Sequence, residues 1–360
     1  MSRFRGRVTA GQMLAVGFTA TLVHLGVFLT VVLSFLVSLD AYTDKGDGVS
    51  YKHMAAALLG DRGQFDEYDS RVFPGYPILI AIVHTVTRLP ISLSALAVTF
   101  ISAGLAAAFS AMVFDDLRIG WAVAFAMPHV WINMSLAMGE APMLAMEMLG
   151  LLLARKDQAV PAGMIFGLAG LTRPVALFAL AGLFLERLAR DRARRGLITI
   201  IAAGVVFAAG MFLIRTLTGS FFHGVREYAN SPRAYDGQMF TWPFHSILSI
   251  TFHDHVSIWR WMYVMAHVLL CIGGCVALSR KNSPTDLLAF IWLSLNTLFV
   301  LCVGLGVGGW GFYHFPRFTI PALPALAWSW RKFLPAGAWL YIPFGIILFA
   351  MAVYGVRTCP

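Results

Sequence analysis

Residues 40–77 read DAYTDKGDGVSYKHMAAALLGDRGQFDEYDSRVFPGYP, and they interrupt an otherwise oily chain. Seven of the chain's 18 acidic residues lie here: Asp40, Asp44, Asp47, Asp61, Asp66, Glu67 and Asp69. An apolar run, 11–39, precedes the stretch, and Phe73-Pro74-Gly75-Tyr76-Pro77 opens another. A charged, aromatic-bearing segment between two apolar runs reads as a loop at a membrane surface. The rest of the chain agrees: 59% of its 360 residues are hydrophobic, 12% are charged and the mean hydropathy is +0.74. That is far more apolar than a soluble domain. Barrel strands would be roughly ten residues long with period-two alternation, whereas helices satisfy their own backbone hydrogen bonds in lipid. The expected fold is all-α: a polytopic transmembrane helical bundle with a long first external loop carrying short amphipathic helices. No internal repeat or low-complexity linker divides it, so residues 1–360 read as one membrane domain.

Apolar stretches fall at 11–39, 73–87, 91–113, 120–138, 140–154, 160–186, 196–215, 257–279, 286–307, 316–330 and 334–355, which gives about eleven spans. Several are shorter than the roughly 20 residues an unaided crossing needs, and are expected to be tilted, broken or joined. The N-terminal Arg3, Arg5 and Arg7 precede an apolar run too long for a signal peptide and lacking a small-residue cleavage site, so it reads as an uncleaved first span. With that terminus cytoplasmic, short basic loops at Arg88, Arg187–Arg195, Arg280-Lys281 and Arg331-Lys332 also fall inside, as the positive-inside rule requires. The hydrophilic loops 40–72 and 216–256, and the shorter 308–317, then face outside. Arg155-Lys156 breaks the pattern, which marks 114–160 as the place where a re-entrant segment near Pro128 or Pro142 could change the parity.

The net charge of +9 comes mostly from clustered arginines. A basic face toward anionic headgroups accounts for it, and nucleic acid is not an expected partner. Cys271, Cys275, Cys302 and Cys359 lack the paired spacing of a zinc site or disulfide framework. His253-Asp254-His255 could contribute to a divalent-metal site, but adjacent side chains diverge and no third ligand is evident, so no metal site is assigned. Asn133-Met134-Ser135 matches a glycosylation sequon but is embedded in an apolar run.

Within the acidic loop, Gly46-Asp47-Gly48 sets a carboxylate between two glycines, which would allow close approach of a substrate and leave the carboxylate unshielded. Asp47 is thus a candidate general base; the alternative is that it caps the helix starting near Val49. Arg71 lies at the loop exit, Arg173 within an apolar run and Arg317 at the head of another. An arginine inside a span costs at least about 2.5–3.5 kcal/mol on insertion scales, so Arg173 needs a polar cavity or a partner such as Glu140 or Glu147. Those two glutamates are seven residues apart, on one helical face. The aromatic run Trp310–Pro316, containing His314, could grip a ligand or form an interfacial belt.

Asp47-Gly48 with Tyr51 three residues on, the Ala-rich amphipathic segment after it and the Phe-Pro-Gly-Tyr-Pro opening resemble the first luminal loop of the GT-C superfamily of integral membrane glycosyltransferases. The likeness is greatest to the GPI-pathway mannosyltransferases and their bacterial relatives. Gly139-Glu140-Ala141-Pro142, Leu171-Thr172-Arg173-Pro174 and Pro316-Arg317-Phe318 resemble looser landmarks of that superfamily. Two positions depart from its pattern: Phe318 stands where a tyrosine commonly follows the late arginine, and Gly75 lies inside the Pro-Pro opening.

The resemblance implies transfer of a sugar, mannose or another hexose, from a polyprenyl-phosphate carrier to a hydroxyl of a glycan, lipid or protein acceptor at the outer face. It singles out Asp47 as base. Asp44 would position the acceptor or a divalent cation, the one cofactor considered. Arg71, Arg173 and Arg317 would meet the phosphate, with Tyr51, Tyr76, Glu140 and His314 lining the substrate site. Such chemistry needs one base plus cations for the leaving phosphate, unlike the paired carboxylates of glycoside hydrolysis. The chain also lacks the Gly-rich turn of a soluble nucleotide site. Its Arg-, Ala- and Gly-rich composition points to a bacterial plasma membrane. The rival expectations are a non-catalytic lipid or solute transporter, with Arg173 and the two glutamates lining a path, and a structural subunit of a glycan-assembly complex.

Overall fold

The computed structural model describes residues 8–66, 68–125, 128–223, 226, 240, 242–245, 258–281, 283–303 and 317–358. Helix α1 spans Ala10–Phe35 and is followed by the short α2, Leu39–Thr43, and α3, Gly48–Leu58. A 3₁₀ turn, Tyr68–Arg71, leads to α4, Gly75–Thr87, and α5, Ile91–Phe114. Then come α6 (Leu117–Phe125), α7 (Pro128–Ser135), α8 (Glu140–Arg155), α9 (Ala159–Thr172), α10 (Leu177–Leu188) and α11 (Ala193–Thr218). The remainder is α12 (Ile258–Ser279), α13 (Pro284–Cys302), α14 (Leu323–Ser329) and α15 (Ile342–Thr358). No β-strand occurs among the described residues; Phe240 and Val303 form an isolated bridge. Among the described residues, six helical segments are long and apolar enough to cross a membrane: Ala10–Phe35, Ile91–Phe114, Ala193–Thr218, Trp261–Ser279, Pro284–Cys302 and Ala338–Arg357.

α1 buries Val16, Ala20, His24, Val27 and Val31, one stripe at helical spacing, and leaves Leu14, Phe18, Leu22, Leu29 and Leu33 exposed. In lipid those outer leucines cost nothing, and close packing of small residues holds the helices together instead. Gly104 on α5 faces Gly17 on α1 so closely that a Cβ there would lie 2.6 Å from the Gly17 carbonyl oxygen and 2.2 Å from Thr21 Oγ1. α5 is buried on most sides and forms the centre of the bundle.

Polar contacts sort the chain turns into two ends. At the acidic end, Ser92 Oγ on the first turn of α5 donates to Asp40 Oδ1 (2.6 Å), Tyr42 OH donates to the Ser135 carbonyl (2.9 Å) and Lys45 Nζ donates to the Arg357 carbonyl (3.3 Å). At the basic end, Val8 N donates to Asp115 Oδ1 (3.1 Å), Arg187 pairs with Asp157 (3.2 Å) and Arg331 with Asp286 (3.3 Å).

These contacts correct two expected spans. Residues 73–87 do not cross: α4 starts against Thr172 and hands over through Arg88 to the turn of α5 beside Asp40, so both its ends lie at the acidic end, with Arg88 among them. Its 13 residues would reach only about 20 Å, short of the roughly 30 Å hydrocarbon core. Conversely, 160–186 is not one span but two helices, α9 and α10, meeting at Arg173-Pro174. Its flanks Asp157 and Arg187 are ion-paired, so this segment leaves and returns to the same end. The proline sets the break, because it forces the preceding residue out of the helical region; Arg173 has φ −152° and ψ 123°. The Arg155-Lys156 exception to the charge rule thereby disappears, while Arg88, now at the acidic end, becomes one. Arg155 lies with the α10–α11 arginines and Thr285, all at the basic end.

Candidate active site

Asp47, Arg71, Glu140, Arg173 and Arg317 come from five separate parts of the chain and meet at the acidic end. Asp47 Oδ2 lies 2.9 Å from Arg317 Nη2 and 3.8 Å from Arg173 Nη2, and Oδ1 lies 3.2 Å from Arg71 Nη2. Glu140 Oε1 is paired with Arg317 Nε and lies 2.9 Å from Arg173 Nη2. Three guanidiniums thus surround two carboxylates, and the cluster carries one net positive charge.

Local sequence explains each placement. Asp47 occupies the cap position of α3, yet its carboxylate makes no cap hydrogen bond. It is spent on arginines, so the capping alternative fails. Gly46 has φ +63°, a conformation that favours glycine, and a Cβ on Gly48 would sit 2.0 Å from the Thr43 carbonyl oxygen. Both glycines therefore serve the tight loop. The space in which their side chains would lie is taken by Met138 and Thr43, not left open to a substrate as the sequence suggested. Glu140 opens α8, where the helix dipole favours a carboxylate. Arg173 projects from the proline break, and Gly75 explains its own presence: a Cβ there would lie 2.5 Å from Thr172 Oγ1, against the base of that break.

Burial alone would raise the Asp47 pKa, but the opposing pull of Arg317, Arg173 and Arg71 is larger and holds the carboxyl well below the usual carboxylate range. Burial pushes the Tyr51 phenol up to about 12, so it stays protonated beside the cluster. Arg173 Nη2 is at ion-pair distance from Glu140 but off the hydrogen-bonding angle, and its Nε is also without a hydrogen bond. Glu140 Oε2 is likewise unbonded and buried. A cationic cluster with unused donors is of the kind that takes an anion with several oxygens.

Residues 73–304 match the family model of glycosyltransferase family 87, well over half of the chain. The chain belongs to glycosyltransferase family 87. The matched segment carries Glu140 and Arg173, while Asp47, Arg71 and Arg317 lie outside it. Among solved structures the chain is similar to ArnT from Cupriavidus metallidurans bound to undecaprenyl phosphate, at 17% identity over 92% of this chain and 72% of that one, TM-score 0.52. It is also similar to the apo state of the same protein, with the same identity and coverage and a TM-score of 0.48. No match was found among curated proteins. The family 87 enzyme is a multi-pass membrane glycosyltransferase with the GT-C fold.

The other residues singled out in the sequence are placed differently. Asp44 pairs with Lys52 at 2.5 Å in a separate group with Asp40, Thr43 and Ser92, so it does not join Asp47. Tyr76 is fully buried; its hydroxyl donates to the Ala95 carbonyl (2.9 Å) and bonds Thr99 Oγ1 (2.7 Å), while its ring packs edge-on to Tyr51 at 4.9 Å. It buttresses Tyr51 from behind. Tyr76→Phe is accordingly expected to lower stability by about 1 kcal/mol while leaving donor kinetics unchanged, checked by thermal denaturation and initial rates. Glu147 is buried with both oxygens unbonded, so of the two glutamates it is Glu140 that partners Arg173. His314 and the His253-Asp254-His255 stretch lie outside the described residues, among which no group of three metal-ligating side chains is assembled.

Sequence reading missed two residues that hold the Arg317 turn. Asn296 Nδ2 donates to the Phe318 carbonyl (3.2 Å), and His267 Nε2 lies 3.2 Å from Thr319 Oγ1. Both are polar side chains buried in apolar spans, and that was the available signal.

Proposed function

We propose that this membrane enzyme transfers a sugar, mannose or another hexose, from a polyprenyl-phosphate carrier to a hydroxyl of a glycan, lipid or protein acceptor. The single observation that carries the reading is the cationic cluster: three arginines, two of them with their guanidiniums on both acidic partners, in a pocket with one net positive charge. The ArnT structure of similar fold is bound to undecaprenyl phosphate, a ligand of this chemical kind. In the reaction the acceptor oxygen attacks the anomeric carbon as its proton passes to Asp47. The bond from that carbon to the phosphate oxygen breaks, and the electron pair leaves with the carrier phosphate, where Arg71, Arg173 and Arg317 neutralise it.

The same cations that hold the Asp47 carboxyl low make it a weak base at rest. A donor phosphate recruits those guanidiniums, and Asp47 then recovers basicity in the complex that needs it. The acidic end is the outer face in this reading, because the arginine-rich end satisfies the positive-inside rule as the cytoplasmic one. The host is a bacterial plasma membrane, and the chain works as one catalytic unit.

The phosphate assignment is tested by binding of sugar-free polyprenyl phosphate to the purified protein, for instance by native mass spectrometry. Arg173→Gln is expected to weaken it at least about tenfold, the loss of one charge-assisted contact, while polyprenol binding stays unchanged. Equal phosphate affinity in the variant would remove Arg173 from the site.

A further inference from the structure

Near the arginine cluster in the same loop is a histidine–aspartate pair that the proposed chemistry leaves unused. His53 Nδ1 donates to Asp69 Oδ2 at 2.8 Å. His53 lies on α3, the helix that Asp47 caps, and Asp69 lies on the 3₁₀ turn Tyr68–Arg71, two residues before Arg71. The Asp69 side chain is almost wholly buried, and that of His53 is about a quarter exposed. The turn is closed on itself by Asp66 Oδ1 accepting from Asp69 N (2.9 Å), with Asp69 Oδ2 reaching back to Asp66 N (3.3 Å), the reciprocal arrangement of a capping box. Asp69 Oδ2 therefore serves two donors at once: it shapes the turn and ties it to α3.

Two side-chain links among the described contacts thus join the α3 region to the turn. One is the Arg71–Asp47 ion pair at 3.2 Å, the other is His53–Asp69. Rotation of Arg71 toward a donor phosphate loosens the first link. The second touches neither carboxylate nor guanidinium of the cluster and survives that movement. We infer that His53 is a positioning residue: through Asp69 it fixes the backbone of the Arg71 turn, so that the guanidinium can swing from Asp47 to the donor phosphate without the turn leaving α3. This rests on the phosphate role of Arg71 in the proposed function. It assigns a task to a histidine six residues from Asp47 that makes no contact with the cluster. It also explains why the loop exit is built on a buried aspartate where a solvated one would be cheaper.

The test is a double-mutant cycle on the full-length protein in nanodiscs, with the lipid-linked donor titrated. His53→Ala is expected to raise the donor KM about tenfold, the effect of losing a hydrogen bond to a charged group, with a smaller change in kcat. His53→Asn, whose amide can replace the Nδ1 donor, is expected to restore most of it. In an Arg71→Ala background His53→Ala should have no further effect. A structural role alone would lower thermal stability and leave the donor KM where it was, and that result would overturn the inference. So would full additivity of the two substitutions, which would leave the phosphate role of Arg71 standing. An Arg71→Ala enzyme with unchanged donor KM would overturn both the inference and the phosphate reading beneath it.

Discussion

Asp47→Asn enzyme is expected to reach the membrane, bind the lipid-linked donor and transfer sugar at least about 10²–10⁴-fold more slowly than the parent, the range a general base contributes. The substitution keeps the shape of the side chain and can still meet one guanidinium through its amide oxygen, so the fold around it should hold. It removes the only carboxylate of the cluster with appreciable access to solvent, its side chain 26% exposed against 2% for Glu140. Glu140 cannot take over, since it is closed in between Arg173 and Arg317. Donor affinity is a separate readout. With the competing negative charge of Asp47 gone, the arginines should hold a phosphate at least as tightly as before. A variant that neither binds donor nor turns it over would point to a structural role for Asp47.

Arg317→Leu is expected to cost about 3–5 kcal/mol of stability, because it takes away the hydrogen-bonded partner of the buried Glu140, leaving it to Arg173 alone, and removes the shortest contact to Asp47. Transfer should fall with it, and the two effects can be separated. The double variant Arg317→Leu, Glu140→Leu removes an acid and a base together and keeps the single net positive charge of the cluster, so stability should recover in part while transfer does not. Thermal unfolding in detergent together with initial rates checks both halves. Recovery of transfer along with stability would make the pair a helix clamp without a part in the chemistry. The Asn296 and His267 contacts to the same turn bear on this expectation: they fix the backbone at Phe318 and Thr319, so loss of the Arg317 side chain leaves the turn in place.

The fold was legible because its dominant signal, long apolar runs with basic and acidic turns, depends on composition alone. The two errors arose where composition and geometry part. Residues 73–87 are apolar enough to read as a span, but their length and the handover at Arg88 make them a helix that stays at the acidic end. Residues 160–186 are long enough for one crossing, yet Arg173-Pro174 folds them into two. In each case a proline or a chain reversal decided what hydropathy could not. At the site, Asp47, Arg71, Arg173, Arg317 and Glu140 were all named from sequence, because charged residues in an oily chain are conspicuous. Their assignment to one site came from the resemblance, and an Arg173–Glu140 pair was expected from the cost of a lone arginine in a span; the contacts themselves were not legible, since five sequence-distant side chains converge only through helix packing. Asp44 and Tyr76 show the converse: each stands next to a motif residue, but helical geometry turns one toward Lys52 and the other toward Thr99.

The most direct test is to incubate purified protein with a polyprenyl-phosphate hexose labelled in the sugar, together with a membrane extract as acceptor source, and to follow the label. Label is expected to leave the carrier with parent enzyme and to stay on it with Asp47→Asn. Label that remains on the carrier with parent enzyme while the same extract accepts sugar from a nucleotide-linked donor in its presence would contradict the account.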